Sequence, residues 1–398
     1  MSEMKKILIF IFCSLSLAAP TQTSQSHIRD NISDYTSFLQ GQTTTPYDYI
    51  KGKFRDYDVV ALGEDHWVSD HMKFLSSFLQ EAESDTTFHI DALAWESGNI
   101  IDQGKADTLM AAPSFREELA LQILRDAADT YGWPYREAVD ALKALWHYAK
   151  VQKKRTRLLL LDPPYMLQAL DGEKYHFTLS RDQSMANRIT GYIQSGRKVL
   201  FYAGSAHTQN QFHAVFLQRY GRYAVQATAG KILKTLYPRK VFSIKLWGGL
   251  MGSNGYMPSN DSFRWQRCGD GKADEAFERN GNKPLGFDIA DSPFADMKVN
   301  DYFHFSYTEQ MLSTTNGSPF REAETLKDRI DGIIFLHSVS KFTIPHIEPS
   351  VFNDAFIRRI GKRTGGSVKS LADVYALIQE KHPTLAPEIE RLKTLPKQ

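Results

Sequence analysis

The stretch YDVVALGEDH at residues 57–66 decides the fold, because a short apolar run ends there in a glycine followed by three ionisable residues. The stretch VLFYAGSAH at residues 199–207 has the same order of apolar run, glycine and histidine. Neither run alternates between apolar and polar residues. Each therefore predicts a strand that is buried on both faces, as the strands of parallel sheets are.

Two further apolar runs, ALAW at residues 92–95 and LLLL at residues 158–161, predict two more buried strands. Helical spacing of apolar residues separates the four runs and predicts an α/β fold, with a mostly parallel central sheet flanked by helices. The helices predicted in this half of the chain cover residues 28–40, 70–83, 114–128, 134–150, 181–195 and 208–219.

The C-terminal half is less regular. A strand is predicted at residues 241–246, and residues 248–282 are rich in Gly, Asn, Ser, Asp and aromatic residues, which predicts a long loop insertion. Further strands are predicted at 285–289 and 332–336, and closing helices at 370–381 and 386–394. Because the composition does not change sharply, we expect one α/β domain over residues 28–398.

Residues 1–19 have the order of a secretory signal peptide. Lys5 and Lys6 precede an apolar run at 7–17, and two alanines follow at 18–19. The run is shorter than the roughly 20 residues that a membrane-spanning helix needs. We expect an exported protein, periplasmic or secreted, with no stable membrane span once the leader is removed. An uncleaved anchor is the alternative.

Charge and cysteine content exclude some classes of protein. The formal net charge is +2, from 48 basic and 46 acidic residues, so a broad nucleic-acid interface is not expected. The chain has two cysteines, Cys13 inside the predicted leader and Cys268. A mature chain with Cys268 alone forms neither an internal disulfide nor a thiolate zinc cluster.

Ionisable residues follow each of the four predicted strands. Glu64 and His66 follow the first, Glu96 the second, Asp162 the third and His207 the fourth. Ligands of open parallel sheets bind outside the carboxyl ends of the strands, so these side chains predict a site at one edge of the sheet. The alternative for each acidic residue is a cap on the following helix.

The two motifs Gly63-x-x-His66 and Gly204-x-x-His207, with Glu96 between them, resemble a known superfamily. It unites Tiki-type proteases, TraB-like proteins, ChaN-type haem-binding proteins and erythromycin esterases. The resemblance covers about residues 57–215 and implies an α/β fold with its site at these motifs.

Smaller features extend the resemblance. Arg181 in the segment RDQSMA and the pair Trp133-x-Tyr135 are similar to the middle helices of the superfamily. The erythromycin esterases have one more residue between the first glycine and histidine. The shorter spacing in this chain, together with the additional His71, is closer to that of the ChaN and Tiki proteins and argues against a macrolide substrate.

Two chemistries are open for a hydrolase of ester or peptide bonds acting on a small molecule or a peptide. In the first, which the Tiki proteases imply, His66, His207 and Glu64 or Glu96 hold a divalent Zn, Mn or Co ion, and Arg181 stabilises the oxyanion. In the second, which the esterases imply, a histidine is the general base and Glu96 orients it.

Two kinds of binding protein are the alternatives to a hydrolase. The resemblance to ChaN implies haem binding, with a histidine or tyrosine as the axial ligand. A rim with several acidic residues suits haem poorly, because haem pockets are mostly apolar. The third class is an envelope protein that binds a partner without chemistry, which the aromatic residues between 247 and 265 would support.

Overall fold

The computed structural model describes residues 32–127, 133–163, 181–217, 222–248, 250–251, 265–266, 271–297, 325–382 and 385–394. The predicted signal peptide at 1–19 and both cysteines lie outside these residues, so export stays a prediction. Among the described residues, no helix combines the length and the hydropathy needed to cross a bilayer.

The centre of the fold is a mixed sheet. Within the described residues, seven strands form it in the order β10-β11-β7-β1-β4-β2-β3, and two pairs of strands lie outside it. Only the β10–β11 pairing of the main sheet is antiparallel. The strands are β1 Val59–Glu64, β2 Ala92–Asn99, β3 Arg157–Asp162, β4 Val199–Gly204, β5 Phe212–Leu217, β6 Arg222–Ala227, β7 Val241–Leu246, β8 Leu250–Met251, β9 Trp265–Gln266, β10 Leu285–Asp288 and β11 Gly332–Phe335.

Helices cover both faces of this sheet, which confirms the predicted α/β class with a mostly parallel sheet. The helices of the described residues are α1 Ile32–Gln40, α2 Pro46–Asp56, α3 Ser69–Glu83, α4 Gln103–Ala111, α5 Glu117–Arg125, α6 Arg136–Val151, α7 Arg181–Gln194, α8 Ser205–Thr208, α9 Ala229–Leu236, α10 Lys272–Arg279, α11 Leu326–Arg329, α12 Asp354–Arg363, α13 Leu371–Lys381 and α14 Ala386–Lys393.

Alternation along each strand divides the core into two layers. In β1, Val60 and Leu62 pack in the layer that contains α3 and α6, whereas Val59 and Ala61 pack in the layer that contains α7 and α9. Every residue of β1 is buried. The uninterrupted apolar run therefore reflects a strand that has a helix layer on each side.

Strand β4 lies between β1 and β2, although it comes later in the chain. It pairs with β1 in parallel from Val59↔Val199 to Glu64↔Gly204, and β7 pairs with the other edge of β1. The two strands that carry the glycine–histidine motifs are therefore direct neighbours and end at the same level.

One predicted helix is wrong. Residues 208–219 were expected to be helical, but Phe212–Leu217 forms β5, which pairs antiparallel with β6. Aromatic and β-branched residues are frequent in this stretch and favour strands, and the pairing with β6 overrides the helical spacing. The helix after β4 is limited to the four residues of α8.

The predicted loop at 248–282 is partly regular. Helix α10 occupies Lys272–Arg279, and the two-residue strands β8 and β9 pair with each other. Residues 249, 252–264 and 267–270 of this insertion lie outside the described residues. The helix has a buried apolar side, which includes Phe277, and this side packs into the larger core layer.

The contact between Phe277 and Phe335 tests the packing of the C-terminal strands. Phe335 is fully buried, and its ring is parallel to that of Phe277 with centroids 3.6 Å apart. We expect Phe335→Ala to lower the free energy of unfolding by about 3–5 kcal/mol, measured by denaturant titration. The control Leu236→Ala, at a side chain that is 58% exposed, should change it by less than about 0.5 kcal/mol. Equal effects of the two changes would contradict this packing.

Candidate functional site

The carboxyl ends of four neighbouring strands deliver the site residues. Glu64 ends β1, Glu96 lies near the end of β2, Asp162 ends β3, and His207 lies in the short helix after β4. Because β1, β4, β2 and β3 are consecutive in the sheet, these ends form one continuous rim. Three of the four residues are carboxylates and all three are buried, so they need compensating positive charge.

The two motif glycines allow the motifs to approach each other. A Cβ atom on Gly63 would lie 3.0 Å from the Cα of Ser205, at the start of the second motif's turn. A Cβ atom on Gly204 would lie 2.7 Å from Cε1 of His66. Each glycine thus leaves room for a residue of the opposite motif, which is a physical reason for glycine at both positions.

Glu96 is the centre of the cluster. Its Oε1 accepts a hydrogen bond from Nη2 of Arg181 at 2.6 Å and lies 3.3 Å from Nε2 of His207 and 4.0 Å from Nε2 of His66. Its Oε2 accepts from the backbone N–H of Gly204 at 2.6 Å. Burial raises the pKa of Glu96, but the charges of His207 and Arg181 lower it by more, so Glu96 is ionised.

Arg181 connects the acidic residues. Its Nε and Nη2 donate to the two carboxylate oxygens of Asp162, with Nη2–Oδ2 at 2.8 Å, and Nη1 lies 3.0 Å from Nε2 of His207. With the bond to Glu96, carboxylate oxygens engage three of its five N–H hydrogens among the described residues. The guanidinium therefore offsets the negative charge of these two carboxylates and keeps Nη1, which lies beside His207, for a ligand.

His66 forms a close pair with Glu64. Nδ1 of His66 lies 2.5 Å from Oε1 of Glu64, so the imidazole donates its Nδ1 hydrogen to the carboxylate. Burial lowers the pKa of His66, whereas the charge and hydrogen bond of Glu64 raise it by more, to about 9. The side chain is 34% exposed, and Nε2 is the nitrogen left for chemistry. Glu64, not Glu96, is thus the residue that orients this histidine.

His207 is held more tightly. Its Nδ1 lies 2.8 Å from Oδ1 of Asp182, which also accepts the backbone N–H of Ala229 at 2.7 Å. Burial lowers the pKa of His207, but the charges of Glu96 and Asp182 raise it to about 10. Because both ring nitrogens face protein groups and the side chain is 12% exposed, His207 supports the site electrostatically.

The structure brings three of the four predicted metal ligands into one group. Single ligand atoms of Glu64, His66 and Glu96 lie within 4.8 Å of one another. Two carboxylates and an imidazole are suitable donors for a divalent cation. Nε2 of His207, the fourth predicted ligand, instead lies near Arg181 and Glu96.

Asp65 and the buried Lys245 form an ion pair beside the site that the sequence analysis missed. Lys245 is 1% exposed and comes from β7, where it pairs in register with Gly63. A single charged residue in the strand VFSIKL was the available signal, because a buried lysine requires a charged partner. Asp182 was also missed as a partner of His207.

The turn that carries His66 is strained. Trp67, the next residue, has φ of +72°, a left-handed conformation that costs a bulky residue about 1–3 kcal/mol. Its ring lies 4.0 Å from that of His382 and 6.0 Å from that of Trp133, whose ring lies 5.0 Å from His66. Aromatic packing thus compensates the strain and forms one wall beside His66.

His71 lies directly behind this turn and is fully buried. Its Nδ1 accepts the backbone N–H of Asp65 at 3.0 Å, and its Nε2 donates to the carbonyl of Trp247 at 3.2 Å. Burial lowers the pKa of His71 to about 4, so the ring is neutral. Two other histidines, His337 and His346, instead contact Asp70 and Glu137.

No protein-family model matches the chain, and no curated protein matches it. Three solved structures are similar to parts of the chain. A succinoglycan biosynthesis protein aligns with 79% of this chain and 98% of its own length, with 11% identity and a TM-score of 0.50. An erythromycin esterase mutant in its open conformation aligns with 77% of this chain and 99% of its own length, with 10% identity and a TM-score of 0.39. ChaN of Campylobacter jejuni, solved with cofacial heme, aligns with 50% of this chain and 84% of its own length, with 13% identity and a TM-score of 0.31.

At 11% identity, the likeness to the succinoglycan biosynthesis protein concerns the fold alone. The resemblance to the superfamily that includes erythromycin esterases and ChaN stays a prediction, and what is shown is a similarity of fold to the succinoglycan biosynthesis protein. It does not test the two Gly-x-x-His motifs, which rest on the geometry described above.

Gly204→Ala tests the close approach of the two motifs. The new Cβ would lie 2.7 Å from Cε1 of His66 and 3.3 Å from Oε2 of Glu96, so the imidazole must move away from Glu64. We expect the downfield NMR resonance of the shared Nδ1 proton to shift or disappear.

Gly191→Ala is the matched control, because its Cβ would meet no atom within 4 Å on helix α7. It should leave the resonance unchanged and stabilise the fold by up to about 1 kcal/mol. An unchanged resonance in Gly204→Ala would show that the ring does not lie against this glycine.

Proposed function

We propose that the protein is a hydrolase of ester or peptide bonds whose reacting group is Nε2 of His66. The observation that carries this proposal is the 2.5 Å contact between Nδ1 of His66 and Glu64, in a side chain that is one-third exposed. A carboxylate that fixes the tautomer and raises the basicity of an imidazole is the arrangement of a general base.

The surrounding residues supply the rest of the chemistry. Neutral His66 accepts a proton from water through Nε2, and the resulting hydroxide attacks the carbonyl carbon of the substrate. Nη1 of Arg181 and the positive charge of His207 stabilise the oxyanion. The imidazolium of His66 then donates its proton to the leaving oxygen or nitrogen as the carbon–heteroatom bond breaks. Glu96 keeps Arg181 and His207 in place.

A divalent cation fits the same residues. Glu64, His66 and Glu96 would hold it, because their ligand atoms lie within 4.8 Å of one another. A bound cation lowers the pKa of a coordinated water and polarises a carbonyl group. Since it binds the neutral imidazole, and the pKa of His66 is raised to about 9, its affinity should increase with pH.

Replacement of the general base tests the proposed reaction. We expect His66→Asn to reduce hydrolysis of a nitrophenyl ester or of a fluorogenic peptide by about 10²- to 10⁴-fold, measured as kcat/KM. The circular dichroism spectrum should be unchanged.

His147→Asn is the control, because this histidine is 55% exposed on α6 and lies beside Glu83, at the end of α3, which is not a residue of the rim. Its kcat/KM should equal that of the wild type. Full activity in His66→Asn, or no hydrolysis by the wild type of any ester or peptide tested, would argue against the proposal.

Calorimetric titration with Zn²⁺ and Mn²⁺ tests the cation site. Glu64→Gln should weaken binding by more than about tenfold, because it removes a charged ligand. His207→Asn should bind the cation with nearly the wild-type affinity, because His207 lies outside the donor group.

A larger loss in His207→Asn than in Glu64→Gln would restore the ligand set predicted from the sequence. Absorption spectra with added haemin distinguish the alternative function. A haem Soret band together with no cation binding would favour a ChaN-like role, although the charged rim suits haem poorly.

A further inference from the structure

The turn between β1 and α3 needs contacts with residues outside the turn to stabilise its backbone conformation. It comprises residues 65–68 and contains Trp67, whose φ of +72° is unfavourable for a side chain of that size. His66 lies inside this turn, so any relaxation of the backbone would rotate its imidazole. Groups that fix the turn therefore determine where Nε2 of His66 points.

Three side chains hold Asp65, the first residue of the turn. Lys245 forms an ion pair with its carboxylate, and the hydroxyl of Ser205 donates to the same oxygen at 3.3 Å. The third is His71, which binds the backbone itself, since its Nδ1 accepts the N–H of Asp65 at 3.0 Å. His71 is thus a side chain that restrains the Glu64–Asp65 peptide plane, at the start of the turn that contains His66.

His71 also reaches the opposite side of the site. Its Nε2 donates to the carbonyl of Trp247, directly after β7, at 3.2 Å. Only the neutral tautomer with its proton on Nε2 makes both bonds, because a protonated Nδ1 cannot accept from Asp65. Complete burial favours this neutral form over the negative charges of Asp65 and Asp70, and the charge of Lys245 favours it too.

We propose that His71 is a positioning residue, which holds the strained turn of His66 against the end of β7 through the Asp65 amide and the Trp247 carbonyl. Its effect on turnover rests on the proposed hydrolase function. Its effect on the His66–Glu64 hydrogen bond does not, and the two are measured separately.

Two conservative variants separate the two hydrogen bonds of His71. In His71→Asn, the side-chain oxygen takes the place of Nδ1 and retains an acceptor for Asp65. In His71→Gln, the side-chain nitrogen takes the place of Nε2 and retains the donor for Trp247, but the acceptor is lost. Both variants are of similar polarity, so a general effect of burying an amide should be the same in each.

The first readout is the downfield NMR resonance of the Nδ1 proton that His66 shares with Glu64, assigned by its absence in His66→Asn. We expect it to be retained in His71→Asn and shifted or lost in His71→Gln. The second readout is kcat, which should fall on the order of 100-fold in His71→Gln, with KM little changed. His71→Asn should recover most of this loss.

Equal resonances and equal kcat values in the two variants would overturn the proposal. If the wild type hydrolyses nothing, the proposed function fails, and the resonance alone decides the role of His71. If His71→Gln does not fold, the ¹⁵N imidazole spectrum of the wild type decides it. An unprotonated Nδ1 on His71 supports the proposal, and a protonated one overturns it.

Discussion

The site depends on the compensation of buried negative charge by one guanidinium. Asp162 and Glu96 are almost completely buried at adjacent strand ends, and Arg181 binds both. Uncompensated, each buried carboxylate would cost several kcal/mol. Because Arg181 is the first residue of helix α7, the position of that helix against the sheet and the neutrality of the rim are linked. Removal of either partner would leave a buried charge without compensation.

The charged neighbours of His66 and His207 give these two histidines different roles. His207 lies between Asp182 and the Arg181–Glu96 pair, where its ring contributes positive charge and little freedom of movement. His66 has one firm partner, Glu64, and one accessible nitrogen. The two Gly-x-x-His motifs look alike, but the histidine of the second supports the site electrostatically, whereas the histidine of the first is the proposed reacting group. The difference arises from the neighbours of each ring, not from the motif.

Strand order explains why the motifs meet at all. β4 is inserted between β1 and β2, so Gly63 and Gly204 stand at adjacent strand ends and each leaves space for the opposite motif. β7 adds Lys245 from the other edge of β1, and the carbonyl of Trp247 after it holds His71. The strained turn at Trp67 is therefore supported from both neighbours of β1. A rigid setting of this kind is what precise orientation of a reacting imidazole requires.

The sequence by itself determined the α/β class, most strands of the main sheet and the residue types at the strand ends. Short apolar runs that lack alternation are typical of buried parallel strands, and ionisable residues directly after such strands lie at the rim of the sheet. The helix expected at 208–219 was wrong, because spacing does not distinguish a helix from a short paired strand such as β5 when the partner is unknown.

Only the tertiary structure decided the partners. It paired His66 with Glu64, two residues away, and Glu96 with Arg181, and it brought Asp182, Lys245 and His71 to positions that local patterns do not specify. The physical reason is that hydrogen bonds and ion pairs depend on distances of about 3 Å between atoms. Those distances are set by strand order and helix packing, whereas hydrophobic patterning reports only which residues are buried.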